Sequence, residues 1–344
     1  MLKCKKEGIN MSFSLFVSKA AAFLMALFIT MIPYNGEKLP VLQTEEADCQ
    51  LNMALISDIH LEANGIFRTG FLKCGLKNMS KAKSPIDAIV INGDLTNYGD
   101  EESLATYYDI IKNYAPKNST VVTVAGNHDI GHVGDRDVTD ITREEALANI
   151  IKYHNEYYGD NSESNYYSLM VNGYKIIVLG DEVVDGGHWD AVSMTQAQLD
   201  FLDKELSEGT SNGLPVFVCC HWPFYDFNGS EMIYDGSNIQ PEDFEYQIKS
   251  IMEKYKNIFY ISGHIHGGVR CTEVGEKYDM PMAEKVNGVT YLSLPTFGIV
   301  NWYGLTWSGT GAQLEVYKDK VLFRPVNYLT DNWYENSEYT FYLD

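Results

Sequence analysis

The chain has 344 residues, of which 45% are hydrophobic and 21% are charged, a composition typical of a globular protein. Its formal net charge is −21, and so acidic a surface repels a phosphate backbone, which argues against the binding of long nucleic acids. An anionic substrate would therefore need a locally positive site, for which a bound divalent metal is the obvious source of charge.

The N-terminus carries three lysines followed by an apolar segment, whose most apolar stretch covers residues 20–32. That length is typical of the core of a signal peptide and short for a membrane span. Extended back to Met11, the segment could cross a membrane with Lys19 reaching the interface. Residues 1–32 are therefore predicted to be an export signal, either a cleaved peptide or a retained membrane anchor, so that the rest of the chain is extracytoplasmic.

Residues 33–50 are predicted to be a polar linker, and residues 51–344 a single domain. Five cysteines follow the apolar segment, an odd number that argues against a framework of disulfides. Cys219 and Cys220 are adjacent within an apolar run, which predicts packed thiols.

Five short apolar segments are predicted to be strands. Each is rich in β-branched or aromatic residues and is bounded by turn residues. Their nearly continuous apolar character is typical of strands that are buried on both faces. The segments are 52–57, 87–93, 120–126, 215–221 and 257–263.

Helices and hairpins are predicted between these strands. Residues 142–159 and 195–209 each open with the spacing of a capping box, and the second segment closes at Gly209. The capping pairs are Thr142 with Glu145 and Thr195 with Gln198. Hairpins are predicted to turn at Asn172–Gly173 and near Asp319. Together these elements predict a layered α/β domain.

Potential metal ligands follow all five predicted strands. In an open α/β sheet the loops at the strand ends meet at one edge, and in extended backbone residues i and i+2 face the same side. Carboxylate, imidazole and amide ligands together suit Mn²⁺, Fe or Zn²⁺. The residues are Asp58 and His60, then Asp94, then Asn127, His128 and Asp129, then His221, and finally His264 and His266.

The ordered motifs DIH, GDLT, GNHD, a single histidine and GHIH resemble those of the calcineurin-like metallophosphoesterases, over about residues 52–325. The resemblance implies a four-layer αββα sandwich of mixed sheets with a dinuclear metal centre at the strand ends. It also implies the ligands of each metal ion. Asp58, His60 and His266 would hold one ion; Asn127, His221 and His264 would hold the other; and Asp94 would bridge both.

The resemblance implies that His128 is not a metal ligand. The resemblance implies that it stabilises developing charge or protonates the leaving oxygen. Asp129 either orients His128, as a carboxylate partner does in acid–base pairs, or caps the turn that carries it. Glycines at positions 93, 126 and 263 fit a close approach of the backbone to the centre.

The predicted activity is hydrolysis of a small phosphoester by a hydroxide bridging two metal ions, because two ions can clamp an in-line displacement and activate water. Phosphodiesters are slightly favoured over phosphomonoesters, since GDLTNYG is closest to the cyclic-nucleotide phosphodiesterase-like and general bacterial branches. Purple acid phosphatases have a glycine and a tyrosine ligand where this chain has His60 and Asn97, which argues against a tyrosinate-liganded centre. The alternative is a catalytically silent metal-binding scaffold of the same fold.

Two long connections are candidates for substrate selection. Residues 222–246 follow His221, and residues 295–311 carry Trp302 and Trp307, which either line a substrate pocket or pack against the domain. Three further histidines match no motif of the family: His132, His154 and His188. The oligomeric state is left open.

Overall fold

Two mixed β-sheets form the centre of the fold. The computed structural model describes residues 42–130, 141–182, 192–225, 227–228, 245–269, 282–298, 307–334 and 337–344. The described strands are β1 Leu51–Ile56, β2 Ala88–Asn92, β3 Thr120–Val124, β4 Tyr167–Val171, β5 Tyr174–Val178, β6 Val216–Cys219, β7 Ile258–Ser262, β8 Ala283–Val286, β9 Val289–Ser293, β10 Thr310–Val316, β11 Lys320–Asn327, β12 Asn332–Trp333 and β13 Tyr339–Tyr342. The described α-helices are α1 Ile66–Met79, α2 Glu101–Tyr114, α3 Arg143–Tyr158, α4 Gln196–Gly209 and α5 Glu245–Met252.

Both sheets combine parallel and antiparallel pairs. The first has the strand order β12-β11-β10-β1-β2-β3, with β13 paired to β11. Its strands β1, β2 and β3 are parallel, whereas β10 runs antiparallel to β1. The second has the order β4-β5-β6-β7-β9-β8, in which β5, β6, β7 and β9 are parallel. The parallel strands therefore end at the same edge of each sheet, where the predicted ligands follow them.

The alternation of side chains along the strands produces four layers. On β1, Met53 and Leu55 join the apolar cluster between the two sheets, whereas Ala54 and Ile56 pack with α1 and α2. On β6, Phe217 lies in the central cluster, and its neighbours along the strand pack with α4 and α5. The predicted αββα arrangement is confirmed, and its strands are apolar on both faces because both faces are covered.

The two predicted helices are present, but only one has the predicted cap. Thr142 forms the capping box with Glu145, and α3 ends at Gly159 in the left-handed conformation. The predicted capping box of Thr195 with Gln198 is wrong, because the Thr195 amide and hydroxyl both donate to the carboxylate of Glu182. A charged acceptor forms the stronger hydrogen bonds and displaces the local cap.

Both predicted hairpins are confirmed. Asn172 and Gly173 have φ of 50° and 87°, as a type I′ turn between β4 and β5 requires. The turn between β10 and β11 is closed by the Tyr317 amide, which donates to the Lys320 carbonyl. A further hairpin, β8–β9, was not predicted from the sequence; it turns at Asn287–Gly288.

The predicted export signal, residues 1–32, lies outside the described residues. Within the described part of the chain, no helix is long and apolar enough to cross a membrane. The last part of the predicted linker contacts the domain: Leu42 is buried, and the amides of Glu45 and Glu46 donate to side chains of Glu315 and Tyr317. The division into signal, linker and domain stays a prediction.

The described cysteines are free thiols. Cys219 and Cys220 are buried, as predicted, whereas Cys49 and Cys74 are more accessible. Burial raises the pKa of the Cys220 thiol to about 11, which keeps it protonated and poorly reactive.

Candidate metal centre

The predicted ligands meet where the carboxyl ends of five strands converge. The first sheet supplies them from the loops after β1, β2 and β3, and the second sheet from the loops after β6 and β7. All seven residues are buried, with exposed fractions of at most 7%. They are Asp58, His60, Asp94, Asn127, His221, His264 and His266.

The ligand atoms form two groups that share one carboxylate. One atom from each of Asp58, His60, Asp94 and His266 lies within 4.8 Å of the others, and the same holds for Asp94, His221 and His264. Asn127 lies beside the second group, since its Oδ1 is 3.1 Å from His264 Nδ1. This grouping, with Asp94 common to both, is the division that the family resemblance implies.

The short distances within the first group indicate a site built for a cation. His60 Nε2 lies 3.0 Å from His266 Nε2, and His266 Nε2 lies 3.1 Å from Asp58 Oδ1. Two imidazole nitrogens and a carboxylate oxygen therefore converge on one small volume. Because neutral imidazoles and carboxylates present lone pairs in such an arrangement, this donor set fits a metal ion.

The second group gives the same indication. His221 Nδ1 donates to the Asn92 carbonyl at 2.8 Å, which leaves Nε2 as the nitrogen that faces the cluster. His221 Nε2 lies 3.3 Å from Asp94 Oδ2. Among the described residues, His221 Nε2 and Asp58 Oδ1 are buried atoms without a well-aligned hydrogen bond. Such orphaned buried atoms are costly unless a further partner binds them, and a metal ion is such a partner.

The backbone at the centre differs from the extended geometry that the sequence suggested for the i and i+2 pairs. Five ligand residues lie in the left-handed region, with φ between 47° and 71°: Asp58, His60, Asp94, His264 and His266. This conformation is strained for residues other than glycine and is concentrated at functional sites. Alternation along straight strands would have placed both members of each pair on the same side. The structure instead uses tight turns, which bring both members of each pair to the same cluster.

Two glycines allow the loops to approach each other. Gly93 has φ of 93°, and a Cβ atom on it would lie 2.2 Å from His221 Nδ1. A Cβ atom on Gly126 would lie 2.3 Å from Asp94 Oδ1. Any larger residue at either position would displace a predicted ligand, which confirms the close approach expected at both glycines.

His128 lies at the border of the cluster and is only half-buried. Its amide donates to Asp94 Oδ1 at 3.0 Å, and its ring packs edge-on against His60 with ring centroids 4.6 Å apart. Its Nδ1 is 3.1 Å from the Asn97 carbonyl oxygen. Because a carbonyl can only accept, Nδ1 carries the hydrogen and Nε2 is the nitrogen that can exchange a proton.

Asp129 is fully buried and bonds to loop backbone. Its carboxylate accepts hydrogen bonds from the amides of Leu95, Thr96 and Gly126, and from the Thr96 hydroxyl. These contacts fit the alternative of a carboxylate that caps the turns, and Asn97 takes the place beside the His128 ring. Burial, followed by the charge of Asp94, raises the pKa of Asp129 to about 7.

Electrostatic coupling is strong within the cluster. Burial opposes ionisation of Asp58, but the charge and hydrogen bond of His266, together with the charge of His221, outweigh it and lower the pKa of Asp58 to about 2. Burial also works against protonation of His221, but the charge and hydrogen bond of Asp94, together with the charge of Asp58, raise its pKa to about 10. For His264, burial and then the charge of His221 lower the pKa to about 3. The buried carboxylates thus draw positive charge into the centre, whether it comes from a proton or from a metal ion.

Sequence reasoning missed two residues that support the centre. Asn92 receives the His221 hydrogen bond on its carbonyl, and its side chain donates to the carbonyls of Cys220 and Ile261 on the second sheet. An asparagine at the end of an apolar strand, directly before Gly93, was the available signal. The Thr296 hydroxyl donates to the Asp58 carbonyl at 2.9 Å, for which the sequence offers no local signal.

Comparisons with known proteins agree with this geometry. The family model of the calcineurin-like phosphoesterases matches residues 51–268. No curated protein sequence matches the chain. A dimetal phosphatase from Danio rerio superposes with a TM-score of 0.59 at 14% identity, covering 86% of this chain and 100% of that chain. A purple acid phosphatase from yellow lupin superposes with a TM-score of 0.54 at 12% identity, covering 84% of this chain and 53% of the lupin chain. At these identities the two structures establish a shared fold.

Proposed function

The chain belongs to the calcineurin-like phosphoesterase family, and we propose that it is an exported enzyme that hydrolyses small phosphoric esters, with phosphodiesters preferred over phosphomonoesters. Metal-dependent phosphoester hydrolysis is the activity of this family and of the phosphatases that share its fold. The observation that carries the proposal is the position of Asp94, which belongs to both groups of ligand atoms and so can bridge two ions.

We assign the metal ligands as the geometry groups them. Asp58, His60 and His266 would hold one ion, and His221, His264 and Asn127 the other. The mixture of nitrogen and oxygen donors without thiolate suits Mn²⁺, Fe or Zn²⁺. When bound, the two ions would supply Lewis-acid charge to the phosphoryl group and lower the pKa of a water molecule.

The protein itself contributes the proton and its positioning. His128 would hold a proton on Nε2 and deliver it to the leaving oxygen, because its Nδ1–H is already committed to the Asn97 carbonyl. Asp129 would keep the loops after β2 and β3 in register through its backbone contacts, without touching the substrate.

The connection 295–311 is proposed to line the substrate pocket. Its first residues lie against the centre, because the Thr296 hydroxyl and the Gly298 amide both donate to the Asp58 carbonyl. The side chain of Trp307, near its other end, is 76% exposed and so is free to contact a substrate. Trp302 and most of the connection 222–246 lie outside the described residues. Unchanged kinetic constants in a folded Trp307→Ala variant would contradict this role.

The decisive experiment compares two substrates after metal replacement. The full chain is stripped of metal, reloaded with Mn²⁺, and assayed with bis-p-nitrophenyl phosphate and p-nitrophenyl phosphate. His221→Ala removes a predicted ligand, and His154→Phe is the matched control, because His154 is a buried histidine that packs between two tyrosines. We expect metal-dependent turnover that is lost in His221→Ala, is kept in His154→Phe and is faster with the diester.

The other outcomes are equally informative. Faster turnover of the monoester would replace the proposed diester preference with a phosphatase activity. Two bound metal ions without turnover of either ester would favour the catalytically silent scaffold. Export is tested separately by fractionating cells that express the full chain: recovery in the cytoplasm would contradict it, and a shortened secreted protein would identify a cleaved signal.

A further inference from the structure

A chain of side-chain hydrogen bonds connects the loop after β1 to the loop after β2, next to His128. Arg68 Nη1 donates to the His60 carbonyl at 2.6 Å and to Glu62 Oε1 at 3.3 Å. Asn97 Nδ2 donates to the same oxygen of Glu62. The Glu62 carboxylate thus accepts hydrogen bonds from both Arg68 and Asn97. The bond from Asn97 joins the loop after β2 to the loop after β1, which contains Glu62.

These contacts fix the position of Asn97. Its backbone amide donates to the Leu61 carbonyl at 3.1 Å, and its side chain is held by Glu62. Held at both points, Asn97 presents its carbonyl oxygen 3.1 Å from His128 Nδ1. The ring of His128 is therefore positioned by the Asn97 carbonyl, and the position of that carbonyl depends on the hydrogen bond between the side chains of Asn97 and Glu62.

Asp129 has no comparable contact with the ring among the described residues. Its two carboxylate oxygens accept from the backbone amides of Leu95, Thr96 and Gly126, within the loops that carry Asn97 and His128. It supports those loops, and the hydrogen bond to the ring comes from Asn97.

We propose that Glu62, acting through Asn97, is a positioning residue for His128. The two residues keep Nδ1–H on the Asn97 carbonyl, so that a second proton carried on Nε2 can pass to the leaving oxygen of the ester as its bond to phosphorus breaks, which leaves the imidazole as the Nδ1–H tautomer. The proton-transfer part of this inference rests on the proposed function, whereas the orientation of the ring does not. Hydrogen-bond partners of metal-bound histidines are typically worth about 10- to 100-fold in activity, and we expect an effect of about 10-fold for His128.

The kinetic test removes, one at a time, the two side chains whose hydrogen bond positions the Asn97 carbonyl. We expect Glu62→Ala and Asn97→Ala each to lower kcat by roughly 10-fold with little change in KM, because ring orientation matters in the transition state. The loss should be larger for phenyl than for p-nitrophenyl esters, since the poorer leaving group depends more on protonation. The double variant should lose no more than either single variant, because both act through one path.

Two further variants make the kinetic test specific. Glu62→Gln keeps an oxygen that can accept from Asn97, so it should retain most of the kcat. Glu101→Ala removes an exposed carboxylate that pairs with Lys152 and should leave kcat unchanged. Equal losses for both leaving groups, or an unchanged kcat in Glu62→Ala, would overturn the proposal.

A second measurement does not depend on activity. Nitrogen-15 NMR of the Zn²⁺-loaded full chain reports the tautomer of each histidine, and His128→Gln identifies the His128 signals. We expect a single Nδ1–H tautomer in the wild type and a mixture of tautomers in Glu62→Ala and Asn97→Ala. An unchanged tautomer in both variants would overturn the positioning role even if the enzyme is active. An inactive wild type with the expected change would instead leave the positioning role standing and refute the proposed function.

Discussion

His128 differs from the seven predicted ligands in exposure and in contacts. The ligands are buried to 7% exposure or less, whereas His128 is half-buried and its ring is held by the Asn97 carbonyl. A residue at the border of the cluster can reach a substrate that the buried residues reach only through bound metal. We therefore expect metal binding and proton transfer to be carried out by different residues.

This separation predicts the behaviour of His128→Ala. The variant should bind two metal ions per chain, as the wild type does, because no ligand is removed. Its kcat should fall by about 10²- to 10⁴-fold, the usual contribution of a general acid. Metal content by mass spectrometry and steady-state kinetics on one sample measure both quantities. Full activity would exclude His128 as the acid, and loss of a metal ion would show that it is a ligand.

Gly126 tests whether the close approach at the centre is required. A Cβ atom at this position would lie 2.3 Å from Asp94 Oδ1 and 2.4 Å from the Asp94 nitrogen, so Gly126→Ala must displace Asp94. We expect weaker binding of both ions, since Asp94 is common to both groups. Gly70→Ala is the control, because a Cβ atom there meets nothing within 4 Å in an α-helix. Titration of the stripped proteins with Mn²⁺ measures the effect, and equal affinities would contradict it.

His154 gives a pH-dependent stability outside the metal centre. It packs with ring centroids 4.5 Å from both Tyr158 and Tyr167, and burial lowers its pKa below 6.5. The unfolded chain therefore binds this proton more readily than the folded protein, so stability is lost as the pH falls through 6.5. The urea unfolding free energy should fall more between pH 7.5 and pH 5.5 in the wild type than in His154→Phe. Parallel decreases in the two proteins would refute this assignment.

At the scale of whole elements, tyrosine hydroxyls protect an open sheet edge. Strand β3 is the edge strand at one end of the first sheet. The Tyr167 hydroxyl donates to the Thr123 carbonyl of this strand at 2.8 Å and accepts from the Thr123 amide at 3.1 Å. Tyr158 donates in the same way to the Val121 carbonyl. Exposed strand edges favour aggregation unless they are covered, and here side chains of α3 and β4 cover the edge.

Removal of one hydroxyl should therefore weaken the fold. Tyr167→Phe leaves a backbone amide and a carbonyl of Thr123 without this partner while keeping the ring, and we expect a loss of about 1–3 kcal/mol in the free energy of unfolding. Tyr166→Phe is the matched control, because its ring packs against Phe201 outside this edge. Urea unfolding monitored by circular dichroism gives both values, and equal effects would argue against protection of the edge.

The elements differ in how far the sequence could predict them. Strands β1, β2, β3, β6 and β7 were predictable because burial on both faces makes them continuously apolar. Strand β8 was missed because only Ala283 of its four residues is buried, so that it carries no apolar pattern. The cap at Thr195 failed for a different reason: the competing acceptor, Glu182, is distant in sequence and meets it only in the folded chain.

The site shows the same limit. The clustering of its predicted ligands could be foreseen because they follow recognisable strands, at the ends where parallel strands meet. The positive φ angles of five of them, and the part played by Asn97, depend on contacts between loops from different strands. Single-sequence patterns report on neighbours along the chain, and these interactions join residues more than thirty positions apart, such as Asn97 and Glu62.

At the scale of the whole molecule, the centre joins the two sheets. Asp58, His60, Asp94 and Asn127 come from loops of the first sheet, and His221, His264 and His266 from loops of the second. The net charge of −21 adds a general attraction for cations, which salt screens over about 10 Å at 0.1 M. Bound metal ions are therefore expected to hold the two sheets together as well as to take part in catalysis.

This connection predicts that metal stabilises the entire fold. A ligand that binds only the folded state at 100 times its Kd adds about 2.7 kcal/mol, and for a chain of this size each kcal/mol raises Tm by roughly 2 °C. Two Mn²⁺ ions bound in this way should thus raise the Tm of the stripped protein by about 10 °C in calorimetry. His221→Ala, which removes a ligand of the second sheet, should show less than half of that rise, whereas His154→Phe should show all of it. If the wild type binds two ions without a change in Tm, the ions do not hold the two sheets together, because a ligand specific to the folded state cannot leave its stability unchanged.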